Sequence, residues 1–280
     1  MVRQVVDWAV HTEASTRSSG LLRLALVPVI WSRWAIELLL YIDLSPTGIA
    51  LSVNYFLATT LMFFGVFSRF TSLWTGLVLL TMYHYFGLEL GREPWTHHHT
   101  YILAVSPILC AATPCGRSFS FDRWWALRKA SKRGEPPPPE RGNVWGLRLV
   151  ALQMSTIYFF ASIDKTNWGF LSGDRMEHYL AWFYFGSEVP HSGLFHATMF
   201  VSAVATVALE YALAFGLLFR RTRPWLVVPG LLLHGLFYVL LPVSTYTATM
   251  WVLYLGYLDP DAVHRWLDRM QGHEPVAPER

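Results

Sequence analysis

Long apolar runs, broken by short polar stretches, dominate the chain. A helix needs about 20 mostly apolar residues to cross a bilayer. Eight segments read this way: 21–43, 49–67, 71–90, 100–114, 144–164, 195–219, 225–241 and 244–258. Segments 100–114 and 244–258 are short, so they require tilt, re-entry or extension by neighbouring polar residues. The pattern predicts an all-α, polytopic integral membrane bundle of about eight transmembrane helices. It divides the chain into an N-terminal segment 1–19, a transmembrane domain 20–258 and a tail 259–280. Val2, Val5, Val6 and Val10 with Trp8 suggest a short interfacial helix at the start, a frayed tail being the equal alternative. Asp7, His11 and Glu13 interrupt any signal-peptide core there.

Composition supports this reading. Only 15% of the 280 residues are charged and 53% are hydrophobic, against roughly 25% charged in a soluble domain. Disorder, a disulfide scaffold and collagen are excluded. The two cysteines, Cys110 and Cys115, form no framework.

The placement of charge then orients the chain. With eight spans, one side holds the N-terminus, Arg69, the 115–143 loop, Arg220, Arg221, Arg223 and the C-terminus. That side carries about 18 of the 22 Lys and Arg residues. Arg92, Lys165 and Arg175 lie opposite, and Arg33 lies within the first span. The positive-inside rule places both termini in the cytoplasm and the 165–194 connection on the other face. The basic loop ends in Arg133-Gly134-Glu135, four prolines, Glu140 and Arg141, which reads as a stiff polyproline spacer. Juxtamembrane charge fits topology better than nucleic-acid binding.

Ionisable groups inside a span are costly and call for a reason. Arg33 and Glu37, four apart, share a helix face as a self-neutralising pair. His84, Glu89, Glu210 and His234 also fall within spans and together suggest a polar cavity. His97, His98 and His99 resemble metal ligands, but successive helical side chains diverge by roughly 100°. No HExxH or cysteine pair accompanies them, so no metal is expected. The chain has three lysines; Lys129 and Lys132 sit in the basic loop, and Lys165 alone lies opposite, at the lip of an apolar helix. Desolvation there would make it a base, whereas a snorkelling anchor paired with Asp164 is the competing reading.

The run Tyr158-Phe159 through Ala161 to Lys165, then Trp168, Gly173, Met176-Glu177 and Tyr179-Leu180, carries a resemblance. With Gly65 to Arg69, Trp95 followed by His99-Thr100-Tyr101, the 118–122 stretch and His234, it is similar to the vitamin K-dependent gamma-glutamyl carboxylase superfamily. Its bacterial members are the HTTM, or horizontally transferred transmembrane, proteins. The resemblance runs over about residues 20–257. It implies an enzyme that couples vitamin K hydroquinone epoxidation, using oxygen, to addition of carbon dioxide at a glutamate of a peptide or protein. Lys165 matches the starting base and His99 the residue that stabilises the charged intermediate. Trp95, Tyr158, Trp168 and His234 are carried over as contacts for vitamin K hydroquinone or a related lipid quinol. The implied setting is a bacterial inner membrane, with the active site toward the non-cytoplasmic face.

Three departures bear on this. The vertebrate enzyme has a large lumenal region after its membrane domain, whereas about 20 residues follow the last span here, including Arg265, Arg269 and Pro275. The Lys165–Trp168 spacing is shorter, and Asp164 replaces a second basic residue. A quinone oxygenase or peptide-modifying protein without carboxylation, a non-catalytic membrane scaffold and, more weakly, a transporter stay open.

Overall fold

The computed structural model describes residues 12–40, 43–186, 192–241 and 243–272. The interfacial helix expected at Val2 to Val10 and the tail residue Pro275 lie outside them. Strand β1 (Glu13–Ser15) leads into α1 (Arg17–Leu40), α2 (Pro46–Phe64) and α3 (Ser68–Met82), which continues as a π-helical stretch, Tyr83–Glu89. There follow α4 (Glu93–Thr96), α5 (His98–Ala111), α6 (Phe121–Arg133), β2 (Arg141–Asn143) and α7 (Trp145–Lys165). The chain ends through α8 (Trp168–Leu171), α9 (Asp174–Phe185), α10 (Gly193–Gly216), α11 (Arg223–Leu240), α12 (Ser244–Leu253), a 3-10 turn and α13 (Pro260–Met270). The expected all-α class holds, with β1 and β2 as a two-stranded exception.

Each apolar segment is helical, but the lengths differ. Among the described residues, four helices are long and apolar enough to cross a membrane: α2, α7, α10 and α11. Helix α1 has 24 residues but carries Arg17, Arg23, Arg33 and Glu37. The 71–90 segment divides into α3 and the π-helical stretch, and the 100–114 segment becomes the 14-residue α5 with Pro107 inside it. Two compact units result, one from Met1–Val150 with Ala248–Arg280, the other from Ala151–Thr247.

In the first unit, Leu22, Leu26, Ile30 and Trp34 recur every fourth residue, so they share one face of α1. All four are fully buried. Tyr55 reaches across from α2 and donates to the Ile30 carbonyl at 2.9 Å. Arg23 is buried on the same helix and donates to carbonyls of Met62, Phe63, Cys115 and Phe119. The last carbonyls of a helix lack partners within it and carry partial negative charge. A single guanidinium therefore closes the end of α2 and the turn that follows α5. Gly65 ends α2 at φ 68°, where a Cβ would lie 2.4 Å from the Ser120 Cβ, so glycine is required twice over.

The basic segments meet within this unit. Strand β1 pairs antiparallel with β2, Glu13 facing Asn143 and Ser15 facing Arg141. Helix α13 docks on them: Ser15 N donates to Asp261 at 3.0 Å, and Ser15 Oγ lies 2.8 Å from His264 Nδ1. Arg17 binds Glu140 at 2.9 Å and Asp268 at 2.6 Å. Much of the 259–280 tail is thus a docked helix. Burial first, and then the Arg17 charge, hold the His264 pKa below its ordinary 6.5, outweighing nearby carboxylates. The unfolded chain therefore binds more protons than the folded one as pH falls through 6.5, and stability falls with it. Thermal unfolding from pH 7.5 to 5 is expected to drop less steeply in a His264→Gln variant than in the unaltered protein. Equal slopes would remove His264 from this account.

Helices α10 and α11 turn many apolar side chains outward. Leu194 and Trp225 are each 80% exposed, and Leu232, Val239 and Phe215 are exposed too. Apolar faces of this extent suit lipid rather than water.

Candidate functional site

The polar groups of the second unit gather on α7, α10 and α11. Tyr158, Ser162 and Lys165 stand at i, i+4 and i+7, hence on one face of α7. Ser162 is buried and donates back to the Tyr158 carbonyl at 2.8 Å. Lys165 is the last residue of α7, and its side chain is about three-quarters buried. Its Nζ donates to both oxygens of Glu210 at 2.9 Å, and to the Ala161 carbonyl at 3.3 Å. Glu210 lies in the middle of α10 with only 4% of its side chain exposed. Asp164, the partner weighed from sequence, is exposed; adjacent helical positions point about 100° apart.

A second polar pair joins the same helix to α11. Tyr158 Oη and His234 Nε2 share a hydrogen bond at 2.6 Å, both residues being buried. The imidazole is ringed by Phe237 and Tyr246, with centroids at 5.8 and 5.4 Å. Thr247 donates to the His234 carbonyl at 3.1 Å. Phe159 packs edge-on against Phe215 at 5.7 Å. The unit thus holds two polar pairs, an amine on a carboxylate and, among aromatic rings, a phenol on an imidazole. Such a set can store and pass protons where water is scarce.

The outer part of this unit is drawn together at Gly173, which has φ 87° and starts α9. A Cβ there would lie 2.5 Å from the Phe200 nitrogen on α10. This close approach sets Asp174 and Glu177 beside His196, whose Nδ1 lies 2.8 Å from Glu177. Ligand atoms of these three lie within 4.8 Å of one another. The hydrogen bond satisfies the imidazole, and the acids stand in the first turn of α9, where the helix dipole favours them. Trp168, carried over as a cofactor contact, is 75% exposed on α8.

Trp95 and His99 belong to the first unit. Trp95 is buried, stacked on Trp34 at 5.4 Å and packed on Phe86 at 4.9 Å. Its Nε1 donates to Glu37 at 2.9 Å, and Arg33, paired with Glu37 at 3.6 Å, donates to the Pro94 carbonyl. The Arg33–Glu37 pair expected from spacing is present, and it holds the Trp95 loop. His99 is half-buried, and its ring stacks on that of His97 at 5.1 Å. His84 and Glu89 form an exposed pair at 3.2 Å.

Two features went unread in the sequence. Glu210 was visible as an acid within a span, and Lys165 as the lone lysine opposite the basic face, yet they were not joined. Arg23, the buried guanidinium of α1, has no signal in the residue pattern. The model of the HTTM domain family matches residues 34–261, most of the chain. No curated protein and no solved structure matches it.

Proposed function

Since the chain belongs to the HTTM domain family, we propose that it is a membrane enzyme of the vitamin K-dependent gamma-carboxylase type. It acts on a glutamate-containing peptide or protein at the non-cytoplasmic face of a bacterial inner membrane. The chain crosses that membrane about eight times, with both termini cytoplasmic. The meeting of β1, the loop before α7, and α13 supports a common side for the basic segments.

The observation that carries the proposal is the Lys165–Glu210 pair, buried among apolar helices beside Tyr158 and His234. In water the pair would be an ammonium and a carboxylate. Glu210 holds the amine in place through both its oxygens, and as the proposed base Lys165 Nζ accepts a proton from a hydroxyl presented to it. Tyr158 and His234, with the rings of Phe237 and Tyr246, suit a flat apolar quinol bearing hydroxyls. Vitamin K hydroquinone or a related quinol would supply, with oxygen, the strong base needed to open a glutamate γ-carbon to carbon dioxide. The dry surroundings protect such a base from quenching.

The competing reading is a structural ion pair, favoured by its two short hydrogen bonds. Detergent-purified protein, vitamin K hydroquinone, oxygen, labelled bicarbonate and a glutamate peptide separate the two. Epoxide together with labelled peptide is the expected result. Epoxide alone narrows the activity to quinol oxygenation, and neither product would sink the proposal.

A further inference from the structure

Helix α6 is built unlike the helices around it. Ser120 caps its start by accepting from Arg123 N at 2.9 Å, and Gly134 ends it in the left-handed region. Its inward stripe is short: Asp122, Arg123, Ala126 and Ala130. Asp122 accepts from the Phe67 and Ser68 backbone nitrogens at 2.8 and 2.7 Å, and from Ser68 Oγ at 2.7 Å. Its own nitrogen donates to the Gly65 carbonyl at 3.1 Å. The start of α6 is therefore pinned where α2 ends and α3 begins.

The outward face changes character along the axis. Phe121, Trp124 and Trp125 stand exposed in the first turns, at 45%, 46% and 58%. Arg128, Lys129, Lys132 and Arg133 fill the last turns. Arg128 folds its guanidinium over the Trp124 ring at 5.3 Å. Trp125, Arg128, Lys129 and Lys132 line a cavity of about 260 Å³ that, among the described residues, no carboxylate enters. Glu135 faces Arg133 instead, at 3.9 Å. Exposed indoles would be costly in water. Rings followed by cations, on a helix pinned at the ends of membrane-length segments, match the boundary between acyl chains and headgroups.

We infer that α6 is a binding site for the headgroup of an anionic glycerophospholipid. Phe121, Trp124 and Trp125 enter the layer below the headgroup, and Arg128, Lys129 and Lys132 surround its phosphate. Charge complementarity names the occupant, because among the described residues three cations and an indole line the cavity and no acid does. The site is independent of the chemistry at Lys165.

The test uses the full chain in lipid nanodiscs containing equal phosphatidylglycerol and phosphatidylcholine. Lipid retained after detergent extraction is weighed by native mass spectrometry. The unaltered protein should retain phosphatidylglycerol preferentially. In Lys129→Ala/Lys132→Ala, that preference should fall about thirty-fold, at roughly a factor of five per lysine. Both side chains are exposed, so the thermal unfolding temperature should stay unchanged, which separates lost binding from lost fold. Equal retention of the two lipids by the unaltered protein would overturn the site. So would a preference that survives the double substitution, or release of the lipid by millimolar inorganic phosphate. A protein partner or a second copy of the chain held through Trp125 in place of lipid would also overturn it.

Discussion

Lys165→Ala is expected to lower epoxide formation from vitamin K hydroquinone by about 10²- to 10⁴-fold, the usual contribution of a positioned general base. Lys165 Nζ is the amine that the fold holds at the lip of α7 with a buried carboxylate against it. Because the pair is absent from the variant, the loss should appear chiefly in the turnover rate, not in the quinol concentration required. Tyr158→Phe, which keeps the ring and removes the hydrogen bond to His234, should cost less. Turnover by Lys165→Ala at the unaltered rate would remove the base and leave only the structural reading of the pair.

The second large effect concerns stability. Removing one member of a buried ion pair leaves the other charge without compensation, at a cost of about 3–5 kcal/mol. Glu210→Leu should lie near that range, because it strands an ammonium that is three-quarters buried. Lys165→Met should lie in the same range, since it leaves the buried Glu210 carboxylate without its partner. The double variant Lys165→Met/Glu210→Leu should regain most of the loss, because well-packed apolar residues often replace a buried pair at little cost. Unfolding in detergent, followed for all four proteins, yields the coupling directly. A double variant as unstable as the sum of the two singles would mean that the pair contributes nothing as a pair.

Much of this was legible in the chain. Apolar run length marked the long apolar helices but not α6, α9 or α13, whose residues are too polar or too short a run to read as spans. Spacing alone paired Arg33 with Glu37, four residues apart on one face. What periodicity does not carry is the identity of neighbours distant in sequence. Glu210 is 45 residues from Lys165, and nothing local selects it over Asp164. Each nonetheless posed an electrostatic question to which the other was the available answer. Arg23 was hidden for a related reason, because its partners are backbone carbonyls, which have no signature in the residue types. Adjacent-residue geometry argued against His97, His98 and His99 converging on an ion, yet did not foresee the stacking of His97 on His99. That arises because His97 caps α5 in extended conformation, off the helical spiral. The bounds of α5 were displaced, since the helix starts earlier, at His98, and 100–114 continues past Ala111 into a turn.

The measurement that bears most directly on the account compares epoxide formation by the unaltered protein with that of Lys165→Met/Glu210→Leu, both first shown to unfold at similar temperatures. The account predicts oxygen-dependent epoxide from the unaltered protein and none above background from the folded double variant. Equal epoxide from both, or none from either, would contradict it.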